Sequence, residues 1–286
     1  MATIDRDGVP IYYETHGEHG EPVLLIMGLG ADAHAWEFQV PDFSARHRVV
    51  LVDNRGVGRS GKPAGQYTTS QMADDALAVL DALGIRRAHV VGISMGGMIA
   101  QELALSHPER VGGLVLAATY ARPGEEARQT AGEGAQKIGG VPSPLELLKS
   151  GAIDLSQIDV RQIFQFLMPM VLSQAFLVEK REWLQAFFER SMGYGFSVPA
   201  FLGQVAAVMS HDTVARLPSL RIPTLVITGL GDRLVPPRHS EELARLIPGA
   251  RLVTIEDATH GFNFEVPAHF NKAILDFLAE HPLSAS

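Results

Sequence analysis

The chain has 286 residues, 46% hydrophobic and 20% charged, a balance that suits one α/β core carrying an insertion and excludes a disordered or fibrous chain. Lys and Arg total 24 against 32 Asp and Glu, a formal charge of −8, which leaves no basic stripe for a phosphate backbone and excludes nucleic acid as the expected partner. The absence of cysteine excludes disulfide frameworks, thiol nucleophiles and thiolate metal sites.

Residues 1–7 carry charge and lack an apolar run, so no secretory signal is expected there. The longest apolar stretches, such as 23–27 and 114–118, are far too short to span a bilayer, so the reading is a soluble, cytoplasmic protein without a membrane partner. Short β-branched runs at 11–13, 23–27, 49–52, 89–93 and 114–117 predict strands. The earliest belongs to a leading antiparallel hairpin. The later runs are nearly all apolar, as strands of a parallel sheet covered on both faces must be. Between them, 72–83 has apolar residues at helical spacing, with Gly84 as its stop, and 98–105 continues as a second helix.

From residue 122 to 215 the alternation lapses and an inserted helical segment is expected, with glycine-rich connectors at 132–134 and 139–140. Its helices are amphipathic, with Phe164, Leu167, Met168 and Val171 on one and Trp183, Leu184, Phe187 and Phe188 on the next. Pro169 is expected to break or kink the first of them. The βα pattern resumes with 225–228, 241–246, 251–255 and 268–278, so the core comprises 1–121 and 216–286 around a helical cap at 122–215.

The strongest local signal is Gly92-Ile93-Ser94-Met95-Gly96-Gly97, set between a strand and a helix. A serine on so sharp a turn has a strained backbone, and the positions two before and two after it must be small, which Gly92 and Gly96 are. The helix that begins at Met95 aims its positive end and free amides at an oxyanion developing on a substrate held by Ser94. Such chemistry needs a base and an acid in the chain order serine, acid, histidine. Asp232 follows the strand at 225–228, and His260 follows the strand at 251–255, each at the carboxyl end where sites of open α/β sheets gather. Asp257 is a weaker candidate for the acid, being too near His260 in sequence to reach its ring easily. Gly56-x-Gly58-x-x-Gly61 matches a dinucleotide fingerprint, but Pro63, Gly65 and the polar stretch to Ser70 forbid the helix that the fingerprint requires. No tight metal-ligand spacing occurs, so neither cofactor nor metal is implied.

With these residues the chain resembles the α/β-hydrolase superfamily over essentially its whole length, and most closely its capped, cofactor-free carboxylesterases and enol-lactonases. The elbow at Gly92 to Gly97, the turn Asp53-Asn54-Arg55-Gly56-Val57-Gly58-Arg59-Ser60, the acid loop of Asp232 with Val235-Pro236, and His260 followed by Pro267 carry the resemblance. It implies a mostly parallel eight-stranded sheet with an inserted helical cap. It further implies Ser94, Asp232 and His260 as the catalytic residues, and the backbone amides of Leu29 and Met95 as the oxyanion hole. The loop that carries Leu29 reads Met27-Gly28-Leu29-Gly30 where the family usually has His-Gly, a change that bears on how the loop is braced. The expected substrate is a small, fairly apolar ester or lactone. Three alternatives stay open: a carbon–carbon bond hydrolase of ring-cleavage products, a cofactor-free perhydrolase or haloperoxidase with the same triad, and a non-catalytic ligand receptor. Serine at position 94 argues against haloalkane dehalogenases and epoxide hydrolases, which carry Asp there. The oligomeric state, a homo-oligomer included, is left open.

Overall fold

The computed structural model describes residues 2–124 and 160–283. Eight strands, β1 (Ala2–Arg6), β2 (Val9–His16), β3 (Pro22–Ile26), β4 (Arg48–Val52), β5 (Ala88–Ile93), β6 (Val111–Ala117), β7 (Thr224–Gly229) and β8 (Arg251–Ile255), form one sheet in the order β1-β2-β4-β3-β5-β6-β7-β8. The β1–β2 and β2–β4 pairs are antiparallel and the remaining five are parallel. The first strand is an addition to those expected. It is a half-exposed edge strand joined to β2 through Asp7 and Gly8, both at positive φ (55° and 81°), as a two-residue primed hairpin turn demands.

Period-two alternation divides each parallel strand between two cores. Leu24, Ile26, Val50, Val52, Val90, Leu114, Leu116 and Val226 face one side, where α2 (Thr69–Ala82) and α3 (Met95–Ser106) cover them with Met72, Val79, Ile99 and Leu103. Val23, Leu25, Val91, Ile93, Val115 and Ile227 face the other, against Trp36, Phe43 of α1 (Val40–Ser44), and Phe270, Ile274 and Phe277 of α10 (Pro267–Glu280). Helix α2 starts three residues earlier than its apolar spacing suggests, because the extended Thr68 caps it by accepting a hydrogen bond from Gln71 N–H. It ends as expected at Gly84 (φ 66°), whose neighbour Ile85 donates back to Leu80 O.

Helices α4 (Val160–Val171), α5 (Gln174–Glu179), α6 (Arg181–Gly193) and α7 (Val198–Ser210) lie between β6 and β7 and make up the described part of the inserted cap. The connectors at 132–134 and 139–140 lie outside the described residues. Pro169 does not break α4, which continues through it to Val171. A proline so near the end removes only one rung of the ladder, and Leu172 N–H still reaches Met168 O. After the cap, α8 (Arg238–Leu246) and α9 (Phe262–Glu265) complete the helices. Among the described residues no single helix is long and apolar enough to cross a membrane.

The strand order reverses between β3 and β5. The chain steps outward from β3 to β4, then returns past β3 to lay down β5, so the loops leaving β3 and β5 diverge and open a crevice at their carboxyl ends.

Candidate active site

Ser94 sits at that crevice, between the last residue of β5 and the first of α3, with φ 56° and ψ −122°, outside every region that an L-residue ordinarily occupies. Its N–H extends the sheet to Ala117 O (2.9 Å), and its own carbonyl accepts from Thr119 Oγ1 (2.7 Å). The glycines of the elbow are required by contact. A Cβ on Gly92 would lie 2.2 Å from Gly96 O, one on Gly96 would lie 2.0 Å from Ile26 O, and one on Gly97 would lie 2.6 Å from the Thr119 methyl. Three strand ends therefore converge on backbone that has no room for a side chain.

The loop leaving β3 lies against this turn, with a Cβ on Gly28 falling 3.1 Å from Ser94 Cβ and 3.6 Å from its Oγ. Met95 and Leu29 have no internal acceptor for their amides among the described residues, and Met95 is the first residue of α3, where helix amides are orphaned. The bracing left open by Met27 comes from two buried amide side chains. Asn54 Nδ2 donates to Met27 O (2.9 Å), and Gln204 Oε1, on cap helix α7, accepts from Gly30 N–H (2.9 Å). Asn54 belongs to the turn that includes Asp53, whose carboxylate accepts from Ala33 N–H (2.8 Å) and Arg59 N–H (2.8 Å). Gly58 (φ 57°) closes that turn against the Asp53 carboxylate, so these glycines serve the turn and no helix begins there.

Asp232 follows β7 and is 3% exposed. Its Oδ1 accepts from the amides of Leu234 (2.9 Å) and Val235 (2.8 Å), and its Oδ2 faces His260 Nδ1 at 2.8 Å. The carboxylate is thereby held on both oxygens, and it fixes the imidazole with Nε2 turned away from it. Among the described residues Asp257, at φ 53°, makes no hydrogen bond to that ring.

The loop that carries His260 doubles back over the end of β7. Gly231 N–H bonds Ala258 O (2.9 Å) above the end of β7, and a Cβ on Gly229 would lie 2.3 Å from that same oxygen. Beyond His260 the chain is tied to the segment after β3, where Gln39 Nε2 donates to Asn263 O (2.8 Å) and Asn263 Nδ2 to Ala35 O (3.2 Å). Since β5 and β6 lie between β7 and β3, the chain after His260 crosses from the β7 side of the sheet to the β3 side. Among the described residues Ser94 Oγ makes no hydrogen bond, to His260 or any other group; such contacts commonly tighten only when substrate is bound.

The cap holds this loop from above. Val171 O, at the end of α4, accepts from Gly261 N–H (2.7 Å) and Thr259 Oγ1 (2.8 Å), while Glu265 accepts from Thr259 N–H (3.1 Å) and from Ser173 N–H (2.6 Å). Trp183 of α6 packs on Phe38, Phe187 and Phe264, and its indole N–H donates to Glu37 (2.5 Å). Among the described residues no group of three or more His, Asp or Glu side chains is placed to hold a metal ion.

Asp232 and His260 are bonded to each other and the loop of Gly28 and Leu29 lies against Ser94, whereas Asn54, Gln204, Thr259 and Glu265 are additions. Only Asn54 had a signal, its place in the Asp53 turn. Comparison with known proteins matches residues 21–267 to the model of the alpha/beta hydrolase fold family. A RutD protein of Azorhizobium caulinodans, provisionally named a carbamate hydrolase, is 35% identical over 273 residues, which is 94% of this chain and 95% of that protein. A solved hydrolase from Pseudomonas aeruginosa PA01 has a TM-score of 0.83 at 32% identity and covers 97% of each chain. The enol-lactonase from Burkholderia xenovorans LB400 has a TM-score of 0.80 at 28% identity, covering 97% of this chain and 99% of its own.

Proposed function

We propose that this chain, which belongs to the α/β hydrolase fold family, is a hydrolase that cleaves a small, fairly apolar carboxylic ester or lactone through an acyl-enzyme on Ser94. The observation that supports the reading is the strained Ser94 against the loop of Gly28 and Leu29, with the amides of Leu29 and Met95 unbonded among the described residues, together with a His260 ring held by Asp232. Ser94 Oγ attacks the carbonyl carbon while His260 Nε2 takes the hydroxyl proton. The new oxyanion rests on the amides of Met95 and Leu29, and Asp232 stabilises the imidazolium. The imidazolium then protonates the leaving oxygen, after which water, activated by the same nitrogen, attacks the acyl-enzyme and returns Ser94.

An apolar substrate is supported by the wall beside the oxyanion loop. The ring of Phe201 lies 3.1 Å from where a Cβ on Gly30 would be, and Phe196 packs against that ring. On this reading residues 122–215 cover the site and 1–121 with 216–286 build it. A second reading, carbamate hydrolysis, is favoured by the name of the relative at 35% identity. It uses the same groups, because a carbamate also presents a carbonyl with a leaving group.

The experiment is turnover of matched short-chain aryl esters, lactones and aryl carbamates, with fluorophosphonate labelling of wild type and Ser94→Ala. Ester or lactone turnover exceeding carbamate turnover, with both hydrolysis and labelling abolished by Ser94→Ala, is expected. Folded wild-type protein that neither labels nor hydrolyses any of the three would overturn the proposal.

A further inference from the structure

We infer that Gln204, a side chain of the cap, is a positioning residue for the oxyanion amide of Leu29; the inference rests on the serine-hydrolase reading above. Gln204 is fully buried, yet both ends of its amide are engaged with backbone outside its own helix. Oε1 accepts from Gly30 N–H at 2.9 Å, and Nε2 donates to Arg55 O at 2.8 Å.

Orientation follows from peptide planarity. The Met27–Gly28 peptide is held at its carbonyl by Asn54, and the Leu29–Gly30 peptide is held at its N–H by Gln204. Between them lies the Gly28–Leu29 peptide, whose N–H is the one facing a substrate oxyanion. Two glycines flank Leu29, and Gly30 adopts φ 71°, so the loop has little intrinsic stiffness. Fixing the planes on both sides supplies the rigidity that the sequence withholds.

Helix α7 is seated closely enough to act as that brace. A Cβ on Gly203 would lie 2.5 Å from Gly65 O, one on Gly56 would lie 3.3 Å from Ala200 O, and Tyr67 N–H donates to Gly203 O. Part of the cap is therefore built into the catalytic frame.

The test compares wild type with Gln204→Met, which keeps the volume and removes both bonds, and Gln204→Glu, which keeps an acceptor toward Gly30. Removing an oxyanion donor outright costs about 100- to 1000-fold in kcat, and loosening one should cost about 10- to 100-fold. Gln204→Met should lower kcat by that factor, leave KM within about twofold, and weaken an alkyl boronic acid, a tetrahedral mimic, by a similar factor. Gln204→Glu should recover at least half of the loss on a logarithmic scale. Where Gln204→Met does not fold, Gln204→Asn, too short to reach Gly30, replaces it with the same expectation. Unchanged kcat and boronate affinity in a folded variant, or equal losses in the Met and Glu variants, overturns the inference. Wild type that neither turns over nor labels sinks the underlying reading instead.

Discussion

Replacing Ser94 by glycine and by alanine separates strain from chemistry. Both variants lose the hydroxyl and should be inactive, so their difference in stability reports on the backbone alone. At an ordinary position glycine is less stable than alanine by about 0.5–1 kcal/mol, through the freedom that it regains on unfolding. Position 94 is not ordinary, with φ 56° and ψ −122°. A side-chain-bearing residue held in such a region stores about 1–3 kcal/mol of strain, and glycine relieves most of it. Subtracting the entropic term leaves Ser94→Gly more stable than Ser94→Ala by about 1 kcal/mol, or about 2 °C in Tm for a chain of this size. Calorimetry of the two variants side by side measures it. A glycine variant that melts below the alanine variant would refute the argument that the elbow is strained.

Three further outcomes follow from particular contacts. Asp75→Ala strands the Arg55 guanidinium, which Asp75 meets through two 2.6 Å bonds in a buried pair, and should cost about 3–5 kcal/mol in urea unfolding. Glu265→Gln replaces one acceptor oxygen by a donor where the carboxylate now serves Ser173 N–H, Thr259 N–H and Thr259 Oγ1. Freeing the loop of His260 in this way costs about 1–3 kcal/mol of local order and should lower kcat by about tenfold with KM little changed. His211, which is buried against Thr69 and Gln101, has its pKa pushed down from 6.5 to about 4, first by burial and then by Arg216. Its ring stays neutral in the folded state while the unfolded chain takes up a proton. Stability is therefore intact above pH 6.5 and falls as the pH drops from 6.5 towards 4. Urea midpoints should show wild type losing about 2 kcal/mol more than His211→Gln between pH 7 and pH 5, and equal losses would count against this account.

The parts of the molecule that were legible are those set by local chemistry. Strands β3 to β7 announce themselves because burial on both faces leaves nearly all their residues apolar, and the elbow because three backbones meet where only glycine fits. Strand β1 is partly exposed and alternates weakly, although Asp7-Gly8 was a readable turn. Pro169 does not break its helix, because its effect depends on its distance from the helix end, which periodicity does not locate. Gln204 was invisible for another reason. A glutamine within an apolar helix reads as a packing defect until its partners, 174 and 149 residues away, are in place.

Those distant partners bear on how specificity can change. Two of the contacts that the cap makes with the core among the described residues differ chemically, with α4 and α6 holding the loop of His260 through Val171 O and the Trp183 cluster, and α7 holding the oxyanion loop through Gln204. A substitution at either contact alters the geometry of a reacting group and should act on kcat, whereas a cap side chain between the contacts touches only the substrate and should act on kcat/KM for one substrate against another. Phe196 and Phe201 are neighbours in the sense that matters here. Phe201 rests on Gly30 of the oxyanion loop, while Phe196 packs on the ring of Phe201. Varying Phe196 is therefore the way to reshape the apolar wall with the oxyanion frame left intact.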